Sequence, residues 1–266
     1  MTLSETRFDA LIREPSYLRD TCFMLVSSLT LVMILVSSVD MENDPTIDTP
    51  NDRIDLIMAR LKVFVATLKT PVVGVIAEQT KDPFLVLISC ILSLRTRDET
   101  TAAASDRLFR IADSPAKLLK LKESQISNAI YPVSFYRNKA KSIFAIAGIL
   151  EEKYAGKTPD DLETLLSLPG VGRKTANLVV SVGFGKPAIC VDIHVHRISN
   201  RMAYIKTTKP DESELVLRKK LPERYWINYN DILVPFGQHV CTPISPFCSR
   251  CPITEYCERV GVVKHR

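Results

Sequence analysis

The sequence predicts an all-α protein on three observations. Apolar residues recur at helical spacing, helix-start signals recur along the chain, and alternating strand patterns are scarce in a 266-residue sequence with only nine glycines. Ile54, Ile57, Met58 and Leu61 keep the i, i+3, i+4, i+7 spacing of a first amphipathic helix. Phe84 to Leu94 is almost wholly apolar and reads as a buried helix. Thr96-Arg97-Asp98-Glu99 has capping-box spacing and would start a helix running through Leu108. Ser114-Pro115 reads as N-cap followed by the first helical position. Lys139 to Tyr154 is a long amphipathic segment, and Thr158-Pro159-Asp160-Asp161 supplies a cap, a proline and first-turn acids for a helix to Ser167. Asp192 has the position of an N-cap for a helix starting near His194, and Asp211 to Lys220 forms one more. No repeat of 20–50 residues is visible.

Composition narrows the class. Hydrophobic residues at 46% and charged residues at 24% exclude a disordered or fibrous chain. The net charge of +5 is unevenly placed: residues 1–40 hold three Arg and five acids, a net of −2, leaving +7 for residues 41–266. That excess fits a polyanionic partner without establishing one. Cys22 to Val39 is an uncharged apolar run without Gly or Pro. Three readings fit it: a gene-model extension ahead of a true start at Met41, an anchor or targeting segment, or a packed helix. The expected organisation therefore begins with an extension at 1–40 and a polar lead at 41–52, with a membrane role only if 22–39 is an anchor.

Leu168-Pro169-Gly170-Val171-Gly172-Arg173-Lys174-Thr175-Ala176 leaves one helix and opens the next. Gly170 and Gly172 permit positive φ in a tight turn, and amides at the following helix start can face a phosphate, with Arg173 and Lys174 adding charge. A plain αα-hairpin carrying two surface bases explains the same residues. The spacing is neither that of a P-loop nor that of a dinucleotide fingerprint.

Four of the seven cysteines, Cys241, Cys248, Cys251 and Cys257, stand in a C-x6-C-x2-C-x5-C pattern. This is too local for a disulfide framework spread over a secreted fold. Four thiolates so placed can enclose a zinc ion or a [4Fe–4S] cluster, and the spacing alone leaves both open; buried or paired cysteines are the bland alternative. Arg250 makes the loop basic. Cys22, Cys90 and Cys190 sit in apolar contexts and read as core thiols.

Leu168 to Ala176 resembles the helix-hairpin-helix of the endonuclease III class of DNA glycosylases, and Cys190-Val-Asp-Ile-His-Val-His-Arg197 resembles the stretch that follows it there. The resemblance spans Arg53 to near the C-terminus. It implies two helical domains with a DNA-binding cleft between them: a six-helix barrel domain at 76–186 carrying the hairpin, and a cluster domain formed by 53–75 with 187–266. It also implies that the cysteines hold a [4Fe–4S] cluster, with zinc second, structural and DNA-facing.

By the same resemblance, Lys174 is the nucleophile that attacks the sugar C1′, and Asp192 lies across the cleft to take its proton and stabilise positive charge on the sugar. An amine attacks only when neutral, which burial or nearby positive charge favours. Without the resemblance, Lys174 is a phosphate-binding lysine and Asp192 a helix cap. His194 is read as a structural hydrogen-bonding residue near the site and His196 as exposed. Gly170, Val171, Gly172, Arg173 and Arg250 are expected to meet DNA. Arg95 and Phe135 stand where the family places groups that fill the gap left by an extruded nucleotide. This chain departs from the family pattern with Arg95 for Gln, Phe135 for an aliphatic wedge and Ile193 for Thr; core packing is the plain alternative for Phe135.

The implied function is base-excision repair: removal of oxidised or ring-saturated pyrimidines, then strand cleavage 3′ to the abasic site by β-elimination. A mismatch- or uracil-directed glycosylase of the same superfamily is the nearer alternative, and a non-catalytic, cluster-bearing DNA-binding module the more distant one. The implied partner is damaged double-stranded DNA, with no small-molecule cosubstrate, for a monomeric, intracellular, DNA-associated protein.

Overall fold

A computed structural model describes residues 50–68 and 71–266. The apolar run Cys22–Val39 lies outside the described residues. All the described regular structure is helical. In chain order the α-helices are α1 (Pro50–Val65), α2 (Val72–Thr80), α3 (Pro83–Ser93), α4 (Asp98–Ile111), α5 (Pro115–Leu118), α6 (Glu123–Ile130), α7 (Tyr136–Tyr154), α8 (Leu162–Leu166), α9 (Arg173–Leu178), α10 (Ile193–Arg201), α11 (Pro210–Lys220) and α12 (Trp226–His239). A π-helical turn, Val179–Gly183, continues α9. No described helix is long and apolar enough to cross a membrane.

Local capping explains several helix starts. Asp82, Ser114 and Asp161 each accept a hydrogen bond from a first-turn amide, at 2.8, 3.4 and 2.8 Å. Two expected caps are corrected. Thr96 does not cap α4: its hydroxyl donates to the Leu94 carbonyl and accepts from Ser134 N, and Arg97 occupies the cap position. Thr158 does not start α8 either, because Asp161 caps it three residues later and the Thr158 hydroxyl lies buried without a partner. The long helix α12 carries Pro235 inside it, the residue that conceals it from sequence patterning.

Two sets of packing matter for the site. Helix α3 is buried from Phe84 to Leu92 and packs against α2, α4, α7, α9 and the π turn. A second core joins α1 to the C-terminal third, where Ile54, Ile57, Met58 and Leu61 pack with residues of α10, α11 and α12. Gly237 lets α12 lie tight on α10: a Cβ there would stand 2.5 Å from His194 Nδ1 and 3.0 Å from an Arg197 nitrogen.

Asp231, on α12, is the fold's costly carboxylate. Burial pushes it up to about 6. Between its ordinary range and that value, the folded chain holds a proton that the unfolded chain has released. Stability therefore falls as pH rises through this window, by at most about 3 kcal/mol. Asp231→Asn is expected to raise the melting temperature at about pH 7.5 and to leave it unchanged near pH 4; equal shifts at both pH values would contradict this.

Candidate active site

The hairpin forms where α8 ends. Val171 N donates to the Leu168 carbonyl at 3.2 Å, and the Val171 side chain is buried as the plug of the turn. Only Gly170 has positive φ, at 79°, and an added Cβ would meet Ser142 Oγ at 3.1 Å. Gly172 is extended at φ −98° and faces open space, which leaves its backbone approachable. Gly170→Ala should therefore cost about 1–2 kcal/mol of stability in a denaturant melt, and Gly172→Ala less than half of that.

Lys174 is the second residue of α9. Across from it, Asp192 caps α10, and its two oxygens divide the work. Oδ1 accepts from His194 N and Val195 N, both at 2.8 Å. Oδ2 lies 4.0 Å from Lys174 Nζ, with the lysine side chain 43% exposed and the aspartate 9%. That distance makes an ion pair but not a hydrogen bond, so the amine keeps freedom to reach outward. Both face a cleft of about 670 Å³ whose wall includes Arg95, Thr96, Arg97, Ile193 and Asp211. Ile193 is 65% exposed there, an apolar group beside two ionic ones. Beneath the lysine, Cys90 and Cys190 are buried as expected of core thiols, and burial pushes Cys90 up to about 12.

His194 is held by Arg197 at 3.0 Å on Nδ1. Burial, aided by Arg197 and Lys174 and opposed by Asp192, keeps the imidazole below its usual value. His196 is not exposed: it is half-buried and bonded to Ser213 Oγ at 2.6 Å. Arg173 is also committed. Its Nε and a terminal nitrogen bind both oxygens of Glu214, at 2.8 and 2.9 Å.

Arg95 and Phe135 come together at the cleft edge. Both non-glycine residues have positive φ, 55° and 57°, and the guanidinium lies 5.9 Å from the ring centroid. Phe135 is 61% exposed, so core packing is not its role. Lys139 anchors the two loops: its ammonium, 7% exposed as a residue, donates to the carbonyls of Leu92 at 2.8 Å and Leu94 at 2.6 Å.

The four C-terminal cysteines are not joined in disulfides and line one narrow, mostly apolar recess. Helix α10 grips this loop. Arg197 donates to the Cys241 carbonyl at 2.8 Å, while Arg201 reaches Cys241 Sγ at 3.4 Å and the Thr242 and Pro243 carbonyls at 2.7 Å each. Burial, with the neighbouring cysteines, pushes Cys251 up to about 11 and raises Cys257. Such thiols ionise readily only around a cationic centre. Among the described residues no three His, Cys, Asp or Glu side chains converge on a single ion. Arg250 stacks 4.0 Å over the Phe247 ring at this loop's surface.

Residues 88–223 match the family model of the HhH-GPD superfamily of base excision DNA repair proteins. The chain belongs to this superfamily. Endonuclease III of Thermotoga maritima is 51% identical over 177 residues, 66% of this chain and 83% of that protein. The structure of a trapped endonuclease III–DNA covalent intermediate aligns with 79% of this chain and 96% of its own, at a TM-score of 0.70 and 32% identity. A thermostable thymine-DNA glycosylase shares the fold at a TM-score of 0.70 and 24% identity, over 80% of this chain and 98% of its own. The HhH-GPD match contains the hairpin, Lys174 and Asp192, and stops before the four cysteines. Within this HhH-GPD chain the residues that sequence patterning missed are supports: Lys139, Glu214, Arg218 and Gly237. Each acts through a partner distant in sequence, so no local spacing marks it.

Proposed function

We propose that this chain is a bifunctional DNA glycosylase and abasic-site lyase acting on oxidised or ring-saturated pyrimidines. The observation that carries the reading is the division of Asp192: one oxygen caps α10, and the other is left facing the Lys174 amine across an open cleft. In the proposed reaction Lys174 Nζ, as the free amine, forms a bond to C1′ while the glycosidic bond breaks and the damaged base leaves with the electron pair. Asp192 Oδ2 takes the amine proton and its charge stabilises the cationic sugar. Ring opening gives an imine between Lys174 and the sugar. Loss of a C2′ proton then expels the 3′ phosphate by β-elimination.

Around this centre, Gly170 and Gly172 offer approachable backbone, while the Arg95–Phe135 pair stands where an extruded nucleotide would leave a gap. The partner is damaged duplex DNA, bound by a monomer. Residues 76–186 and the pairing of 53–75 with 187–266 form the two lobes of the proposed enzyme. The second lobe is supported by the core that joins α1 to the C-terminal helices. Cys241, Cys248, Cys251 and Cys257 would hold a [4Fe–4S] cluster whose contribution is structural, fixing a basic loop beside DNA.

Duplexes carrying thymine glycol, an abasic site, uracil or a G·T mismatch separate the substrate readings. Incision of the first two is expected; incision of uracil or G·T alone would move the protein to the mismatch or uracil class. Binding without incision of any duplex would favour the non-catalytic module. Purified protein should absorb near about 400 nm, and Cys251→Ser should abolish that band. A colourless protein with stoichiometric zinc would refute the cluster.

A further inference from the structure

A buried carboxylate ties the helix bearing Lys174 to α11, whose first turn lines the same cleft. Glu214, on α11, is 3% exposed at its side chain and receives two guanidinium groups. Arg173 of α9 binds both of its oxygens, at 2.8 and 2.9 Å. Arg218, one turn further along α11, donates to Glu214 Oε1 at 2.8 Å and to Asn177 Oδ1 at 2.8 Å. Arg218 also lies 5.4 Å from the Trp226 ring centroid, next to the start of α12. Helix α9 is thus fastened at two points four residues apart, Arg173 and Asn177, and Lys174 lies between them in sequence.

Two fastenings on one face of a helix stop it from turning about its axis or sliding along it. The helix direction of Lys174 is then set by α11, as is its 4.0 Å separation from Asp192. A buried carboxylate that accepts three charge-assisted hydrogen bonds is also stiff. Losing its charge leaves two half-buried cations short of a partner and a buried carboxyl without its ion pairs.

We infer that Glu214, with Arg173 and Arg218, is a positioning element that holds Lys174 in attacking geometry, and that Arg173 serves this latch rather than a DNA phosphate. The inference rests on Lys174 being the nucleophile. It makes the latch a determinant of imine formation and not of DNA affinity. A phosphate-binding Arg173 would do the reverse, since removing a phosphate contact weakens binding and flattens its salt dependence.

The test uses the full chain. The rate of borohydride-trapped imine formation is measured on an abasic duplex at saturating protein, and the Kd on a duplex with a reduced, uncleavable abasic analogue at two salt concentrations. Glu214→Gln is expected to slow imine formation at least about tenfold with Kd within about threefold and an unchanged salt slope. Adding Arg173→Gln to Glu214→Gln should recover part of the lost rate, because an amide pair replaces a half-buried cation left without its carboxylate. General destabilisation would make the double variant slower instead. Should Glu214→Gln fail to fold by circular dichroism, Arg173→Gln alone, which leaves Glu214 paired with Arg218, carries the same expectation. Wild-type rates in the folded variants, or a loss confined to Kd with a reduced salt slope, would overturn the latch. Absence of any imine in wild type would instead remove the nucleophile reading on which the latch depends.

Discussion

Lys174→Ala should reduce cleavage at an abasic site by at least about a thousandfold, because it removes the only proposed atom that bonds to the sugar. DNA affinity should change little, within about threefold, since the side chain is 43% exposed and paired with Asp192 rather than spent on the fold. Lys174→Arg is the sharper comparison. It keeps the positive charge a phosphate would feel but supplies no neutral amine at any working pH. Equal loss in both variants marks a nucleophile; full rescue by arginine marks a phosphate ligand.

Asp192 carries the second large effect, and its two oxygens allow the roles to be separated. Asp192→Asn retains an oxygen that can accept from His194 N and Val195 N, so α10 stays capped. The negative charge facing Lys174 is lost. Imine formation should fall by about a hundredfold to a thousandfold with the melting temperature nearly unchanged. Asp192→Ala should show the same kinetic loss together with about 1 kcal/mol of destabilisation from the missing cap. If Asp192→Asn cleaves normally while Asp192→Ala is slow only because it is unstable, the carboxylate is a cap and nothing more.

Helix α10 joins these chemistries to the cysteine loop. Asp192 sits at its first turn, Arg197 and Arg201 on later turns hold the loop around Cys241, and Gly237 admits α12 against the same helix. Disturbing the cysteine centre therefore disturbs the helix whose N-terminus presents the carboxylate. Under the proposed function, this is a physical route by which a cluster held there would affect catalysis without touching substrate.

Much of this arrangement was legible before folding was considered. The helical periods of Ile54 to Leu61 and Phe84 to Leu94 were strong because those faces are buried. The Asp192 cap was legible because capping is a local property of one residue, whereas its proposed part in the chemistry comes only from the family resemblance. What stayed hidden depended on distant partners. Arg173 looked like a free surface base because Glu214 is 41 residues away. Thr96 looked like a cap because the competing amide, Ser134 N, comes from 38 residues further on. His196 looked exposed because its burial is supplied by Ser213. Helix α12 was masked by Pro235, whose cost is met by packing that no local pattern displays. Phe135 fits a core or a surface role by sequence alone, and its positive φ with an exposed ring removes only the core role.

The most direct measurement is to trap wild-type protein on an abasic duplex with borohydride, digest away the DNA and the chain, and locate the sugar remnant by mass spectrometry. A single adduct on the peptide containing Lys174, absent in Lys174→Ala, is the expected result. A remnant on any other lysine, or strand cleavage that proceeds with no adduct at all, would contradict Lys174 as the nucleophile.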